Sequence, residues 1–260
     1  MDTRFPTLDR PEVLNVLFHP RRDTAAGASD PRAVRIPAAD GVGIGGKIFG
    51  DTPGAPAILF FHGNGEIASD YDDFSHEYTK LGITLFVVDF RGYGISESTP
   101  TARGLIADAG VIGETARDIL AAHHMPCSKL FVMGRSLGSA AAIEIAARPN
   151  AAISGLIIES GFADTLALVE RLGDIHFSDG SDSRHGFGNL DKIARVTVPT
   201  LFIHGEQDWI IPVTDARALH QRCGATSKRL LTIPGAGHND LMIIGYKPYF
   251  NAIRDLVFTA

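Results

Sequence analysis

Short apolar runs alternate with longer stretches of helical spacing along most of the chain. Eight runs read as strands: Ala33–Pro37, Val42–Phe49, Ala57–Phe61, Ile83–Asp89, Leu130–Met133, Leu156–Glu159, Val198–His204 and Leu230–Ile233. They are four to eight residues long, rich in Val, Ile, Leu and Phe, and bounded by Gly, Pro or Asp. Between them lie helical patterns. The polar stretch Glu66–Leu81 is one. Gly104–Ala122 repeats Leu105, Ile112, Ala116, Ile119 and Leu120 at helical spacing. Leu137–Ala147 is alanine-rich, and further helices are expected near Asp215–Cys223 and within Asn239–Phe258. Continuously apolar strands that alternate with helices predict a parallel sheet covered on both faces. Residues 1–32 differ in texture. Pro6, Pro11, Pro20 and Pro31 interrupt any long helix, leaving one turn of helix around Pro11–Leu17 in an N-terminal arm on a domain spanning 33–260. One stretch breaks the alternation, Arg171–Asn189, rich in Ser, Asp, Gly and His; it predicts a short excursion at about 163–192.

Composition narrows the classes. The formal net charge is −6, from 24 Lys and Arg against 30 Asp and Glu. A mildly acidic chain lacks the electrostatic footprint of a nucleic-acid binder and the basic face of a peripheral membrane protein. Two cysteines, Cys127 and Cys223, make no disulfide framework and suit free thiols in a reducing compartment. No secretory signal opens the sequence and no apolar run reaches the ~18 residues of a membrane span, so the expected location is cytoplasmic. The 28 glycines exceed the usual ~7% and point to tight turns.

The chemistry begins at Gly134-Arg135-Ser136-Leu137-Gly138, a G-x-S-x-G between a strand and a helix. A serine on that sharp turn projects its hydroxyl above the sheet, and the helix N-terminus aims backbone N–H groups at any anion formed there. The hydroxyl needs a base, and the base an orienting carboxylate. Asp208 follows the strand Val198–His204 in His204-Gly205-Glu206-Gln207-Asp208. His238 follows the last strand in Gly235-Ala236-Gly237-His238. Rival acids are Glu159, at the end of its strand, and Glu206. Among the other histidines, His62 and His204 read as structural, His123 and His124 as solvated at a helix end, and His176 and His185 belong to the excursion. The backbone N–H of Leu137 is one expected oxyanion donor. The second is the N–H of Asn64 in His62-Gly63-Asn64-Gly65-Glu66, the loop after the third strand.

With these motifs in order, the chain resembles the α/β-hydrolase superfamily and looks most like small serine hydrolases of the BEM46-like and ABHD17-like type. Asp89-Phe90-Arg91-Gly92-Tyr93-Gly94-Ile95-Ser96 and Glu159-Ser160-Gly161-Phe162 resemble further family segments. Asp89 and Arg91 read there as loop supports. The resemblance implies an α/β-hydrolase fold: an eight-stranded, mostly parallel sheet with helices on both faces and an antiparallel edge from the first two strands. One departure is expected: many relatives insert a large helical cap between strands six and seven, whereas the connection from about Ser160 to Thr197 leaves room only for a short lid. It also implies hydrolysis of a carboxylic ester or thioester through an acyl-enzyme, with a small-molecule substrate and no cofactor. Phe162, Trp209 and the excursion's Phe177 and Phe187 are expected around the acyl pocket. The same triad also serves acyltransferases, perhydrolases and amidases, and a non-catalytic receptor can share the fold. Gly41-Val42-Gly43-Ile44-Gly45-Gly46 matches G-x-G-x-x-G, but Lys47-Ile48-Phe49 continues it as a strand, so a dinucleotide site is not expected. No clustered cysteines or H-E-x-x-H pattern calls for a metal.

Overall fold

The computed structural model describes residues 5–23, 30–177 and 186–260. Its eight strands are β1 (Ala33–Pro37), β2 (Gly43–Phe49), β3 (Ala57–Phe61), β4 (Thr84–Val88), β5 (Leu130–Arg135), β6 (Gly155–Glu159), β7 (Thr200–Gly205) and β8 (Lys228–Ile233). They form one sheet in the order β1-β2-β4-β3-β5-β6-β7-β8. β2 is antiparallel to both β1 and β4, and every other pair is parallel. This is the sheet that the resemblance implies. The burial of each strand follows its composition. β3, β4 and β6 are apolar throughout or nearly so and buried on both faces. The edge strand β1 alternates, with Val34 and Ile36 inward and Arg35 and Pro37 outward.

The helices are α1 (Pro11–Leu17), α2 (His76–Thr79), α3 (Ala102–Ala122), α4 (Gly138–Ala146), α5 (Thr165–Leu172), α6 (Asn189–Ile193), α7 (Val213–Arg222), α8 (Leu241–Ile244) and α9 (Tyr246–Thr259). One apolar core joins α1, α3, α4, α6 and α7 to one face of the sheet; a second joins α2, α8 and α9 to the other. α3 starts where Thr101 accepts the Gly104 N–H at 2.9 Å, and α5 where Asp164 accepts from Leu166 at 2.8 Å. No helix among the described residues is long and apolar enough to cross a membrane.

Two expectations change. The helix expected over Glu66–Leu81 is a 3₁₀ turn at Ala68–Tyr71 followed by the four-residue α2. The backbone closes three-residue turns instead, with the Asp70 and Asp72 N–H groups donating to the Ile67 and Ser69 carbonyls at 3.0 and 3.2 Å. Asp70 accepts the Ile67 N–H at 3.0 Å, and Asp89 accepts the Ala68 N–H at 2.8 Å. The polar excursion is flanked by α5 and α6, and its residues 178–185, including His185, lie outside the described residues. The arm is built into the fold: Phe5, Leu8, Val13, Leu17 and Phe18 are all buried in the first core. Strand order reverses between β3 and β5, which leave in sequence on opposite sides of the sheet's middle. A crevice outside the C-terminal ends of these two strands is where open α/β sheets hold ligands.

Candidate active site

β5 ends at Arg135, and the chain turns into α4 within two residues. That turn puts Ser136 at φ +51°, in the left-handed region that a side-chain-bearing residue rarely adopts. The flanking glycines are demanded by contact distance. A Cβ on Gly134 would stand 2.3 Å from the Gly138 carbonyl oxygen, and one on Gly138 would stand 2.0 Å from that of Phe61. Only glycine lets β3, β5 and α4 approach so closely.

The structure brings the three expected residues into one line. His238 Nε2 is 3.0 Å from Ser136 Oγ, and His238 Nδ1 is 2.7 Å from Asp208 Oδ2. Asp208 is fully held. Its Oδ1 accepts the N–H groups of Ile210 and Ile211 at 2.9 and 2.8 Å, and His204 Nε2 lies 3.3 Å from Oδ2. Burial pushes the Asp208 carboxyl up, but the bonds from His204 and His238 outweigh it and hold it below the usual carboxylate range. The stability that comes from this depressed pKa is therefore complete above the ordinary carboxylate range and is lost as pH falls below it. Asp208→Asn is expected to cost about 1.5–3 kcal/mol at neutral pH. The gap in urea midpoint between wild type and variant should narrow as pH is lowered from about 6 to about 3. An unchanging gap would mean that the ionised form carries none of it.

Glu159, the rival acid, is committed elsewhere. It accepts from Arg135 Nε at 3.2 Å and from Tyr249 Oη at 2.6 Å, and burial lifts its pKa above the usual range. Glu206 accepts from the Thr232 hydroxyl at 2.9 Å. His62 and His204 are buried, with ring nitrogens on the carbonyls of Gly63 and Ile211, both at 2.8 Å. His123, His124 and His176 are exposed. Asp89 anchors the Ala68 N–H, and Arg91 bridges Asp40 and Asp108, at 2.8 and 2.7 Å, so both support loops.

The N–H groups of Asn64 and Leu137 donate to no protein acceptor among the described residues. The aromatic residues expected around the acyl pocket take three different settings. Phe162 is fully buried and packs on Phe187, with ring centroids 6.1 Å apart, because the chain turns inward after β6; both belong to the core. Trp209 is 89% exposed, since the two N–H bonds that fix Asp208 turn its neighbour out to solvent. Phe177 is half-buried under the Arg10 guanidinium of the arm.

Arg135 is the residue whose role the motif alone does not disclose. It is buried, and its guanidinium reaches Glu66, Glu159, the His238 carbonyl at 3.0 Å and Asn239 Oδ1 at 2.9 Å. It ties the serine turn to the histidine loop and to the loop of Asn64. Burial lowers its pKa, but Glu66 and Glu159 more than reverse this and keep it charged. Glu66 is depressed in turn: burial raises it, and Arg135 and His62 lower it further. A sequence signal existed, because a charged residue in an otherwise apolar buried strand must find partners. No group of three His, Cys, Asp or Glu among the described residues is arranged to hold a metal ion.

A family model described as serine aminopeptidase, S33, matches residues 53–170 and 189–242, leaving out most of the polar excursion. The chain is 30% identical to protein bem46 of Schizosaccharomyces pombe over 211 residues, 78% of this chain and 67% of that protein. It is 30% identical to the human alpha/beta hydrolase domain-containing protein 17B over 206 residues, 77% of this chain and 65% of that one. Among solved structures, an esterase of Pyrococcus furiosus, Pf2001, superposes with a TM-score of 0.71 over 92% of this chain and 97% of its own, at 17% identity. That likeness concerns the fold.

Proposed function

The chain belongs to the α/β-hydrolases of the Bem46/ABHD type, and from that premise we propose that it is a serine hydrolase that cleaves small carboxylic esters or thioesters through an acyl-enzyme. The observation that supports this reading is the unbroken hydrogen-bonded line from Ser136 through His238 to Asp208. Ser136 Oγ attacks the acyl carbonyl while its proton passes to His238 Nε2. The carbonyl π-electrons move onto oxygen, which takes the N–H groups of Leu137 and Asn64. The tetrahedral adduct then collapses, the bond to the alcohol or thiol breaks, and His238 protonates the leaving group. Water repeats the sequence, with His238 as base, and releases the acid. Asp208 holds His238 in the tautomer with the proton on Nδ1 and stabilises the imidazolium. The N–H groups of Ile210 and Ile211 and the His238 Nδ1–H that it accepts favour its ionised form.

The test is a fluorophosphonate probe together with nitrophenyl esters from acetate to palmitate. We expect covalent labelling at Ser136 and turnover that varies along the chain-length series. No labelling of the wild-type protein, with no turnover of any ester in the series, would overturn the reading in favour of a binding protein on this fold. The series also reports the acyl length that the site accepts.

A further inference from the structure

We propose that the N-terminal arm is a working part of the catalytic centre: the segment His19–Arg21 clamps the Asn64 loop and so sets the direction of the second oxyanion donor. This rests on the serine-hydrolase reading, which requires an anion beside Ser136.

The loop is held at its ends: the Glu66 N–H donates to the Gly63 carbonyl at 3.3 Å, and the His62 ring Nδ1 lies 2.8 Å from that carbonyl. Asn64 stands between two glycines, and Gly65 is at φ +77°. The Gly63 N–H is taken by Glu66 Oε2 at 2.9 Å, whereas the Asn64 N–H has no protein acceptor among the described residues. A donor stabilises a developing charge at little cost only if it is already aimed. The bonds within the loop hold Gly63 and Glu66, and the Asn64 side chain is held from outside it.

The arm does so through the Asn64 side chain. Asn64 Oδ1 accepts the His19 backbone N–H at 2.8 Å and the Tyr93 hydroxyl at 2.7 Å. Asn64 Nδ2 donates to His19 Nδ1 at 2.8 Å. An amide nitrogen only donates, so Nδ1 is the bare nitrogen and the neutral ring carries its proton on Nε2. The amide orientation follows from this network, since reversing it would set its NH₂ against the His19 N–H. Two residues on, Arg21 Nε donates to the Gly65 carbonyl at 3.1 Å, and its guanidinium pairs with Asp70. The clamp thus grips both Asn64 and Gly65.

The arm is anchored behind the clamp. Leu17 and Phe18 are buried in the core immediately before His19. After it, the Gly94 N–H donates to the Arg21 carbonyl at 2.8 Å, and the Asp23 N–H to the Gly94 carbonyl at 3.1 Å. Tyr93, which also lies 2.8 Å from the His19 nitrogen, is fully buried and offers its hydroxyl from a fixed position. His19 and Tyr93 are accordingly positioning residues, acting through Asn64.

The test is a set of conservative variants of the full chain, all keeping the Asn64 N–H itself. Asn64→Ala should lower kcat about 10- to 100-fold, somewhat less than the ~10²–10³ for outright loss of a donor. KM should stay within about twofold, because the interaction belongs to the transition state. The inhibition constant of a trifluoromethyl ketone, which forms the tetrahedral oxyanion on serine, should rise by the same factor. His19→Ala, at an exposed side chain, should show a smaller loss of the same kind, and His19→Asn should recover part of it by restoring an acceptor near the Nδ1 position. Tyr93→Phe should act in the same direction. The His19→Ala/Asn64→Ala double variant should be no worse than Asn64→Ala alone. If Asn64→Ala and His19→Ala lower the thermal midpoint but leave kcat and ketone affinity unchanged, the arm is only a tether and the proposal fails. Ser136→Ala, run in parallel, separates the two readings: if it retains turnover, the serine-hydrolase reading falls and takes this proposal with it.

Discussion

Ser136→Ala is expected to abolish ester turnover, lowering kcat by as much as ~10⁶ while leaving the fold in place. The size follows from how the line of three groups works as a unit. Without Oγ there is no covalent intermediate, and His238 and Asp208 have no proton to handle. What would remain is the proposed oxyanion site acting on water, which in triad enzymes supplies only ~10³–10⁴ over the uncatalysed reaction. The folded state should barely notice the change. The Ser136 hydroxyl makes one side-chain hydrogen bond, to His238, and the strained turn at φ +51° is held by its own backbone: the Ser136 N–H donates to the Glu159 carbonyl at 2.9 Å. Circular dichroism melting should therefore shift by no more than a few degrees. Fluorophosphonate labelling should disappear with the activity. Turnover within tenfold of wild type would reject Ser136 as the nucleophile.

Arg135→Met is expected to cost about 3–5 kcal/mol, because it leaves the buried Glu159 and the partly buried Glu66 without their counter-ion. Glu159 would keep only Tyr249, and Glu66 only Tyr71 and the Gly63 N–H. For a chain of this size the loss corresponds to a fall in melting temperature on the order of 10 °C. Circular dichroism is the suitable readout, since the single tryptophan, Trp209, is 89% exposed and reports little on the core. Arg135→Lys keeps the charge but cannot reach Glu66, Glu159 and the His238 carbonyl together, so it should fall between. Adding Glu159→Gln to Arg135→Met should restore part of the stability by removing the buried charge left behind. A melting point unchanged by Arg135→Met would show that the network is neutral in energy. Activity of the folded fraction should also fall, because the His238 loop loses two of its anchors.

Much of this was legible in the chain. All eight strands were read from short apolar runs, since a strand buried on both faces can carry little else. The serine turn was legible because its constraints are local: a strand, a helix, and glycines where a Cβ would strike backbone. The helix expected at Glu66–Leu81 breaks into short turns, whose start is fixed by side chains that cap the Ile67 and Ala68 N–H groups, one of them Asp89, 21 positions along the chain. The settings of Phe162 and Trp209 are not legible in the sequence for a similar reason. Apolar character says that a side chain seeks company; whether that company is the core, as for Phe162, or solvent, as for Trp209, depends on how the loop is pinned.

What the sequence determined by itself is the eight strands and the candidate reactive groups, because hydrophobic periodicity and turn chemistry act over a few residues. What only the tertiary structure decided is which groups meet. Ser136, Asp208 and His238 come from three separate strand ends, and Arg135 reaches Glu66, Glu159 and the His238 loop at once. His19 finds Asn64 across 45 positions of sequence. No local pattern encodes such pairings. They arise when the strands stack in an order different from the chain's own and a buried polar group must find its partner in whatever lies beside it.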